Sequence, residues 1–286
     1  RLICFKPDIV LLNPSLGDKA LKRDFIYLNI CRFFRKKTSV FIHGFNFEYA
    51  KNADWKWISA NLNKALCIFV LSQDFKNELI RRGIKSDIHL TSTKVPDYFI
   101  SGFDLSMRQG KAENIMYSGR IEKAKGVYET VDTFSILKSQ YKDLTLTFVG
   151  DGSELPMLKQ YVENKKIKDV RFTGELRGED FKKEYINADM YLFLSYTEGM
   201  PTVVLEAMIF GLPIFTRKVG GLIDFFENGK MGYISSSLDP AVFAEGGLAV
   251  YDGQFRSDGP RARLSSAGRR VRACGLFEDA RALRGE

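Results

Sequence analysis

The stretch SYTEGMPTVVLEAMIFGLPIF (195–215) is apolar enough to be core, yet it carries two carboxylates, Glu198 and Glu206, eight positions apart. An unpaired carboxylate is costly to bury, so fold stability alone does not account for them. The preceding DMYLFLS (189–195) reads as a buried strand and residues 196–200 as a loop. Pro201 suits a first helical turn, and Gly211 and Pro213 stop the helix near Phe210. Glu198 then lies in the loop and Glu206 little more than one turn inside the helix. The amides of Met200, Thr202 and Val203 at the helix start would attract a phosphate or a sugar hydroxyl. Two acceptor-only carboxylates beside them suit vicinal hydroxyls, one a ribose diol and the other a hexose. Taken singly, Glu198 reads better as a partner of the helix dipole, and Glu206 as a helix-surface residue.

Two further stretches carry chemistry. In MYSGRIEKAKG (116–126) a strand ends at Gly119, and Arg120 and Lys125 follow in the loop. Cations at the C-terminal edge of a parallel sheet lie where ligands bind in open α/β folds, and both side chains suit phosphate. A solvated basic loop has the same composition. In FVGDGSELPMLK (148–159), Gly150 and Gly152 permit a tight strand-to-helix turn, with Ser153 placed to cap the helix. The third glycine of a dinucleotide fingerprint is replaced by Leu155, which argues against an NAD-dependent dehydrogenase. His43 ends the apolar run SVFIHG (39–44), whereas His89 inside DIHLTS (87–92) reads as structural.

These positions need a scaffold of parallel sheet. Short apolar runs at 8–13, 39–44, 67–72 and 87–92 read as strands, separated by helical stretches at 18–34, 53–65 and 73–82. Gly83 closes the last of these helices. A second series of strands follows at 114–119, 144–150, 169–174, 189–195, 212–217 and 232–235. Strand and helix in alternation imply parallel sheets with right-handed crossovers. The expected architecture is α/β, two doubly wound Rossmann-like domains facing a cleft. The division is 1–100, a linker at 101–113, and 114–245. From 246 to 286 the text changes to Arg, Ala and Gly with eight Arg and no Lys, Ile or Asn, an atypical tail that reads as chimeric or disordered.

The 286 residues carry a formal charge of +8, which favours an anionic partner. No zinc-finger spacing, RNP-like strand or basic heptad array points to nucleic acid. No run approaches the roughly 18 apolar residues of a membrane span. The four cysteines (Cys4, Cys31, Cys67, Cys274) form no CxxC pair, so a reduced, cytoplasmic setting without structural zinc is expected. CRFFRKK (31–37) mixes aromatics with four cations, which suits anionic lipid as well as it suits a solvated helix end.

Taken together, Glu198, Gly199, Pro201, Glu206, Ala207, Gly211, Pro213, Gly220 and Gly221 resemble the donor-site motif of the family 4 glycosyltransferases, retaining enzymes of GT-B fold. SGRIEKAKG and FVGDGSELPMLK…VRFTGEL resemble the segments that precede that motif in the family. The resemblance runs from about 114 to 236, is weaker over 6–98, and is absent from 246 onward. It implies that the family's first strand and Gly-rich loop would lie before Arg1. It implies transfer of a hexose from a nucleotide-sugar, a UDP-sugar by preference, with no cofactor or metal required. Arg120 and Lys125 would hold the diphosphate, Glu206 the ribose, and Glu198 the sugar. Backbone at Gly119, Gly150 and from Gly199 through Met200, Pro201 and Thr202 to Val203 would line the donor. Glu175 and Leu176 would border the base, and His43 would stand beside the sugar. The acceptor implied is a glycan or a lipid-linked precursor, placing the protein in the cytoplasm, at the inner face of the membrane. An epimerase of the same fold and an inactive nucleotide-sugar-binding module remain alternatives.

Overall fold

The computed structural model describes residues 7–104 and 113–251. The first sheet contains β1 (Ile9–Leu12), β3 (Lys37–Ile42), β5 (Cys67–Val70) and β6 (Asp87–Leu90), all parallel and in that spatial order. Two short strands, β2 (Ser15–Leu16) and β4 (Gly44–Phe45), pair beside it. Helix α1 (Asp18–Phe33) follows β2, and α2 (Phe47–Asn52), α3 (Trp55–Leu62) and α4 (Gln73–Arg81) complete this half. Side chains fix the starts of the last three. Asn46, Asp54 and Ser72 accept from the amides of Tyr49, Trp57 and Phe75, each three residues on. Gly83, at φ +83°, terminates α4.

The second sheet is also fully parallel. Its strands are β7 (Asn114–Ser118), β8 (Thr145–Val149), β9 (Val170–Phe172), β10 (Met190–Phe193), β11 (Ile214–Arg217) and β12 (Gly232–Ser235). Their order is β12-β11-β10-β7-β8-β9. The chain therefore steps one way from β7 to β9 and the other way from β10 to β12. The reversal between β7 and β10 is a topological switch point, where open α/β sheets bind ligands. Helices α5 (Val127–Gln140), α6 (Leu155–Asn164), α7 (Gly178–Asn187), α8 (Thr202–Ile209) and α9 (Pro240–Tyr251) cover the sheet.

Each sheet has its own apolar core, centred on Leu28, Ile42 and Ile68 in the first and on Tyr117, Phe148 and Leu192 in the second. Met200 packs against both. The halves also meet through a hydrogen bond from the Gln73 amide, at the start of α4, to Asp224 Oδ2 at 2.8 Å.

Every strand read from the sequence is present, and three local expectations are corrected. Helix α6 begins after Glu154, and no side chain caps it, so Ser153 is not its cap. Pro201 is the N-cap of α8 and not its first helical residue, with extended backbone at ψ 101°. His89, read as structural, keeps that reading, half-buried beside the Phe69 ring 5.6 Å away. The compositional change at 246 falls inside α9, where Gly246 lies against Tyr233 and Gly247 against Leu137. The remainder of the atypical segment, 252–286, and most of the expected linker, 105–112, lie outside the described residues, as do Cys4 and Cys274. Cys31 and Cys67 are buried and form no disulfide.

Candidate functional site

The loops leaving β7 and β10 at the switch point are stitched together. Gly126, at φ +68°, sits so close to the end of β10 that a Cβ there would lie 2.0 Å from the Leu194 carbonyl oxygen. The Tyr196 amide donates to the Ala124 carbonyl at 3.0 Å. This contact brings Lys125 onto Glu198: Nζ donates to Oε1 at 2.7 Å, with the two side chains only 17% and 13% exposed. The sequence places these groups 73 residues apart, and the fold makes them an ion pair at the edge of the switch.

The Glu198 loop is pressed from two sides. A Cβ on Gly199 would stand 2.2 Å from the His43 carbonyl oxygen, so the N-terminal half abuts the loop here. On the other side, the Gly221 amide donates to Gly199 O at 2.8 Å. Gly220, at φ +52°, admits no side chain, since its Cβ would lie 2.1 Å from that same oxygen. His43 is exposed, and its Nε2 lies 3.0 Å from Ser15 Oγ. His43, Lys125, Glu198 and Gly199 thus converge. Within α8, the amides of Val204 and Leu205 both reach the Pro201 carbonyl, leaving Thr202 and Val203 to lead the first turn.

Glu206 sits one turn further in and has a buried support. Tyr185 on α7 donates to Glu206 Oε2 at 2.8 Å. Its hydroxyl also lies 2.7 Å from Ser118 Oγ, which in turn lies 2.8 Å from the Tyr191 hydroxyl. Burial pushes the Glu206 carboxyl up to about 7 from 4.5, opposed by the Tyr185 hydrogen bond. Ionisation is therefore harder in the folded chain than in the unfolded one. The stabilisation from holding this group neutral is complete below pH 4.5 and is lost as pH rises through about 7.

Other predicted residues stand apart from this cluster. Arg120 is 70% exposed and pairs with Glu122 at 2.8 Å, at the mouth of the same loop. Gly150 meets the loop after β7: a Cβ there would lie 1.9 Å from Gly119 O, and one on Gly152 would lie 2.3 Å from Ile121 O. These two glycines serve main-chain packing. Gly119 and Gly150 both have φ +140°. Glu175 is exposed and paired with Arg177, while Leu176 is half-buried against the core at the end of β9.

Sequence reasoning missed Tyr185, Ser118, Tyr191 and Tyr196. The available signal was the tyrosines themselves, set in apolar runs where a buried hydroxyl needs a partner. Tyr196 anchors the Glu198 loop: its hydroxyl donates to Glu129 Oε1 at 2.5 Å, and the Arg217 guanidinium lies 4.6 Å from its ring. Among the described residues, no group of three or more His, Cys, Asp or Glu is placed to hold a metal ion.

The family model for glycosyl transferases group 1 matches residues 106–271, more than half of the chain, and so extends past 246, where the resemblance was expected to end. The chain belongs to the group 1 glycosyl transferases. Family relatives include the glycogen synthase of Mycobacterium tuberculosis, 30% identical over 56% of this chain and 39% of its own length. The N-acetyl-alpha-D-glucosaminyl L-malate synthase of Bacillus anthracis is 30% identical over 53% of this chain and 40% of its own. The capsular polysaccharide biosynthesis glycosyltransferase CapM of Staphylococcus aureus is 31% identical over 46% and 34%. The matched stretches thus span about two fifths or less of these relatives. Among solved structures, Anabaena HepE in complex with UDP superposes with TM-score 0.77 at 16% identity, over 99% of this chain and 80% of that one. The pneumococcal O-GlcNAc transferase GtfA in complex with UDP and GlcNAc gives TM-score 0.74 at 19% identity, over 97% and 56%. The two parallel sheets are those of the GT-B fold; the second is doubly wound as expected, whereas the first, in the order β1-β3-β5-β6, steps in one direction only among the described residues.

Proposed function

We propose that the protein is a retaining glycosyltransferase that moves a hexosyl group from a nucleotide-sugar, a UDP-sugar by preference, to a glycan or lipid-linked acceptor. The observation that carries this reading is the convergence of Lys125, Glu198 and Glu206 around the switch point, at the start of α8. Lys125, with Arg120 swinging in from the loop mouth, would hold the diphosphate. The amides of Thr202 and Val203 would face the same anion. Glu206 would take the ribose hydroxyls, Glu198 the sugar, and Glu175 with Leu176 would border the base. Main chain at Gly119 and Gly150, at the ends of β7 and β8, would line the diphosphate. The UDP in the HepE and GtfA complexes and the polysaccharide role in the CapM name support the substrate classes.

Breaking the anomeric bond leaves positive charge on the sugar and negative charge on the departing diphosphate. Lys125 and the helix start are aimed at the second, and His43 and Glu198 border the first. Attack by the acceptor hydroxyl on the face the diphosphate leaves would retain configuration. No metal is required in this reading.

The test is a thermal-shift titration with UDP, GDP, ADP and NAD, repeated on Glu206→Ala. One nucleoside diphosphate is expected to stabilise the chain and to lose that effect in the variant. No shift with any of the four, in a chain folded by circular dichroism, overturns the reading. Turnover of the nucleotide-sugar without acceptor would indicate an epimerase, and its persistence intact with every acceptor would indicate a binding module.

The Glu206 titration yields a second expectation. Hydroxyl donors favour the carboxylate, so UDP affinity rises with pH through about 7 as this group ionises. Glu206→Gln removes that component, leaving only the nucleotide's own titration, which both proteins share. Tyr185→Phe moves the midpoint upward, because it deletes the hydrogen bond that favours the charged form. Isothermal titration calorimetry across the range reads all three, and parallel profiles for wild type and Glu206→Gln would refute the assignment.

A further inference from the structure

The loop that carries Glu198 is fixed two residues earlier, at Tyr196, by contacts beyond those of its main chain. The Tyr196 amide and Ser195 Oγ both donate to the Ala124 carbonyl, at 3.0 and 3.3 Å, which sets the two loops against each other. Lys125 follows Ala124 directly, so this junction decides how its ammonium meets Glu198. The Tyr196 side chain then reaches two other elements. Its hydroxyl donates to Glu129 Oε1 in the first turn of α5. Its ring lies 4.6 Å from the guanidinium of Arg217, the last residue of β11. One ring thus joins the loop after β10 to the start of α5 and to the end of β11.

As scaffolding alone this arrangement is costly. Arg217 Nε and Nη1 are buried without a hydrogen-bond partner among the described residues, and so is Glu129 Oε2. Unpaired buried polar atoms destabilise a fold, and apolar side chains of similar volume would serve stability better. Burial pulls the Arg217 guanidinium below its usual range, and Tyr196 and the Glu129 carboxylate oppose that shift. Each charge takes Tyr196 as its partner, the carboxylate through the hydroxyl and the guanidinium through the face of the ring. Displacing the ring would deprive both of that partner. The tyrosine, and the loop with it, is therefore confined to one position.

We propose that Tyr196, Glu129 and Arg217 are positioning residues for the Lys125–Glu198 pair, a clasp that holds residues 195–199 in the register that keeps Glu198 Oε1 on Lys125 Nζ. They act through that pair and not on a reactant. The inference rests on the nucleotide-sugar reading for the task of the pair, which is to face the diphosphate and the sugar. The clasp itself rests only on contacts within the second half of the chain, between residues 124 and 217.

The experiment is a brief acetylation of the 286-residue chain with an N-hydroxysuccinimide ester, each lysine being read by mass spectrometry. Lys125, 17% exposed and held in its pair, labels when the pair opens. Lys138, 16% exposed near the other end of α5, reports general opening, and the exposed Lys123 gives the unshielded rate. Tyr196→Phe, Glu129→Ala and Arg217→Met are each expected to label Lys125 about tenfold faster than wild type, the effect of one contact to a charged group. Lys138 should be unchanged in all three. Glu129→Gln, whose amide oxygen still accepts from Tyr196, is expected to stay near wild type. Equal Lys125 rates in Tyr196→Phe and wild type overturn the proposal. Labelling of Glu129→Gln as fast as Glu129→Ala also overturns it, since the hydrogen bond would not be what holds the loop. Acceleration of Lys138 together with Lys125 assigns the three residues to overall stability and overturns it too. Added UDP tests the nucleotide-sugar reading separately, by slowing Lys125 in the wild type. If UDP gives no protection while the variants keep their differences, the diphosphate role of Lys125 falls and the clasp stands.

Discussion

Lys125→Ala is expected to lower turnover by about 100- to 1,000-fold, the effect of deleting one donor aimed at developing negative charge. Two roles compete for this lysine, because its ammonium lies 2.7 Å from Glu198 in a largely buried pair. If it served only to neutralise Glu198, removing both charges would restore the protein, since a truncated buried pair costs mainly through the charge left behind. The double variant Lys125→Ala with Glu198→Gln separates them. We expect it to regain the thermal stability lost in Lys125→Ala while turning over about 100-fold more slowly than Glu198→Gln alone, because the departing diphosphate still lacks its cation. Steady-state kinetics and melting curves on the same four proteins complete the cycle. Turnover in the double variant equal to that of Glu198→Gln alone would make Lys125 a structural partner of Glu198 and remove it from the chemistry.

Gly199→Ala is expected to leave UDP binding near wild type and to cut turnover about 100-fold. The added methyl would lie 2.2 Å from the His43 carbonyl oxygen and 3.0 Å from Leu71 Cδ1. The first contact is with main chain, which cannot rotate away, so the sheets must separate by about 1 Å, enough to misplace reacting groups. Nucleotide contacts assigned to Glu206 and Lys125 belong to the second sheet and move together. Gly220→Ala is the comparison: its Cβ would strike Gly199 O, within that half, at φ +52°. It should therefore weaken UDP binding as well. Michaelis kinetics beside UDP thermal shifts distinguish the two, and full activity in Gly199→Ala would mean that His43 need not approach the site.

The sequence was most informative where its signal is local. The runs CIFVLS and DMYLFLS are apolar because parallel strands are covered on both faces, and their strands, Cys67–Val70 and Met190–Phe193, are fully buried. The Glu198 and Glu206 motif likewise marked the switch point, since loop and helix start are contiguous in the chain. Ambiguity began where a residue's reason lies far away. Gly150 and Gly152 look like a phosphate-cradling turn, yet the atoms they avoid are Gly119 O and Ile121 O. Tyr185 supports Glu206 across 21 residues and Ser118 across 67, a relation that no periodicity encodes. Strands of two residues, such as Ser15–Leu16, are too short to leave any pattern. The change of composition at 246 marks no structural break, because small residues let α9 continue against Tyr233 and Leu137.

The contact between the two halves is written largely in main chain. Gly199 and Gly221 face the carbonyl oxygens of His43 and Leu71, and Asp224 accepts from the Gln73 amide. Amide and carbonyl groups are the same whatever side chain the residue bears. Substitution at His43, Leu71 or Gln73 therefore leaves the docking atoms in place, whereas the glycines admit no exchange. Such a joint tolerates drift on one side and forbids it on the other, so two lineages can lose almost all identity and still close the same cleft.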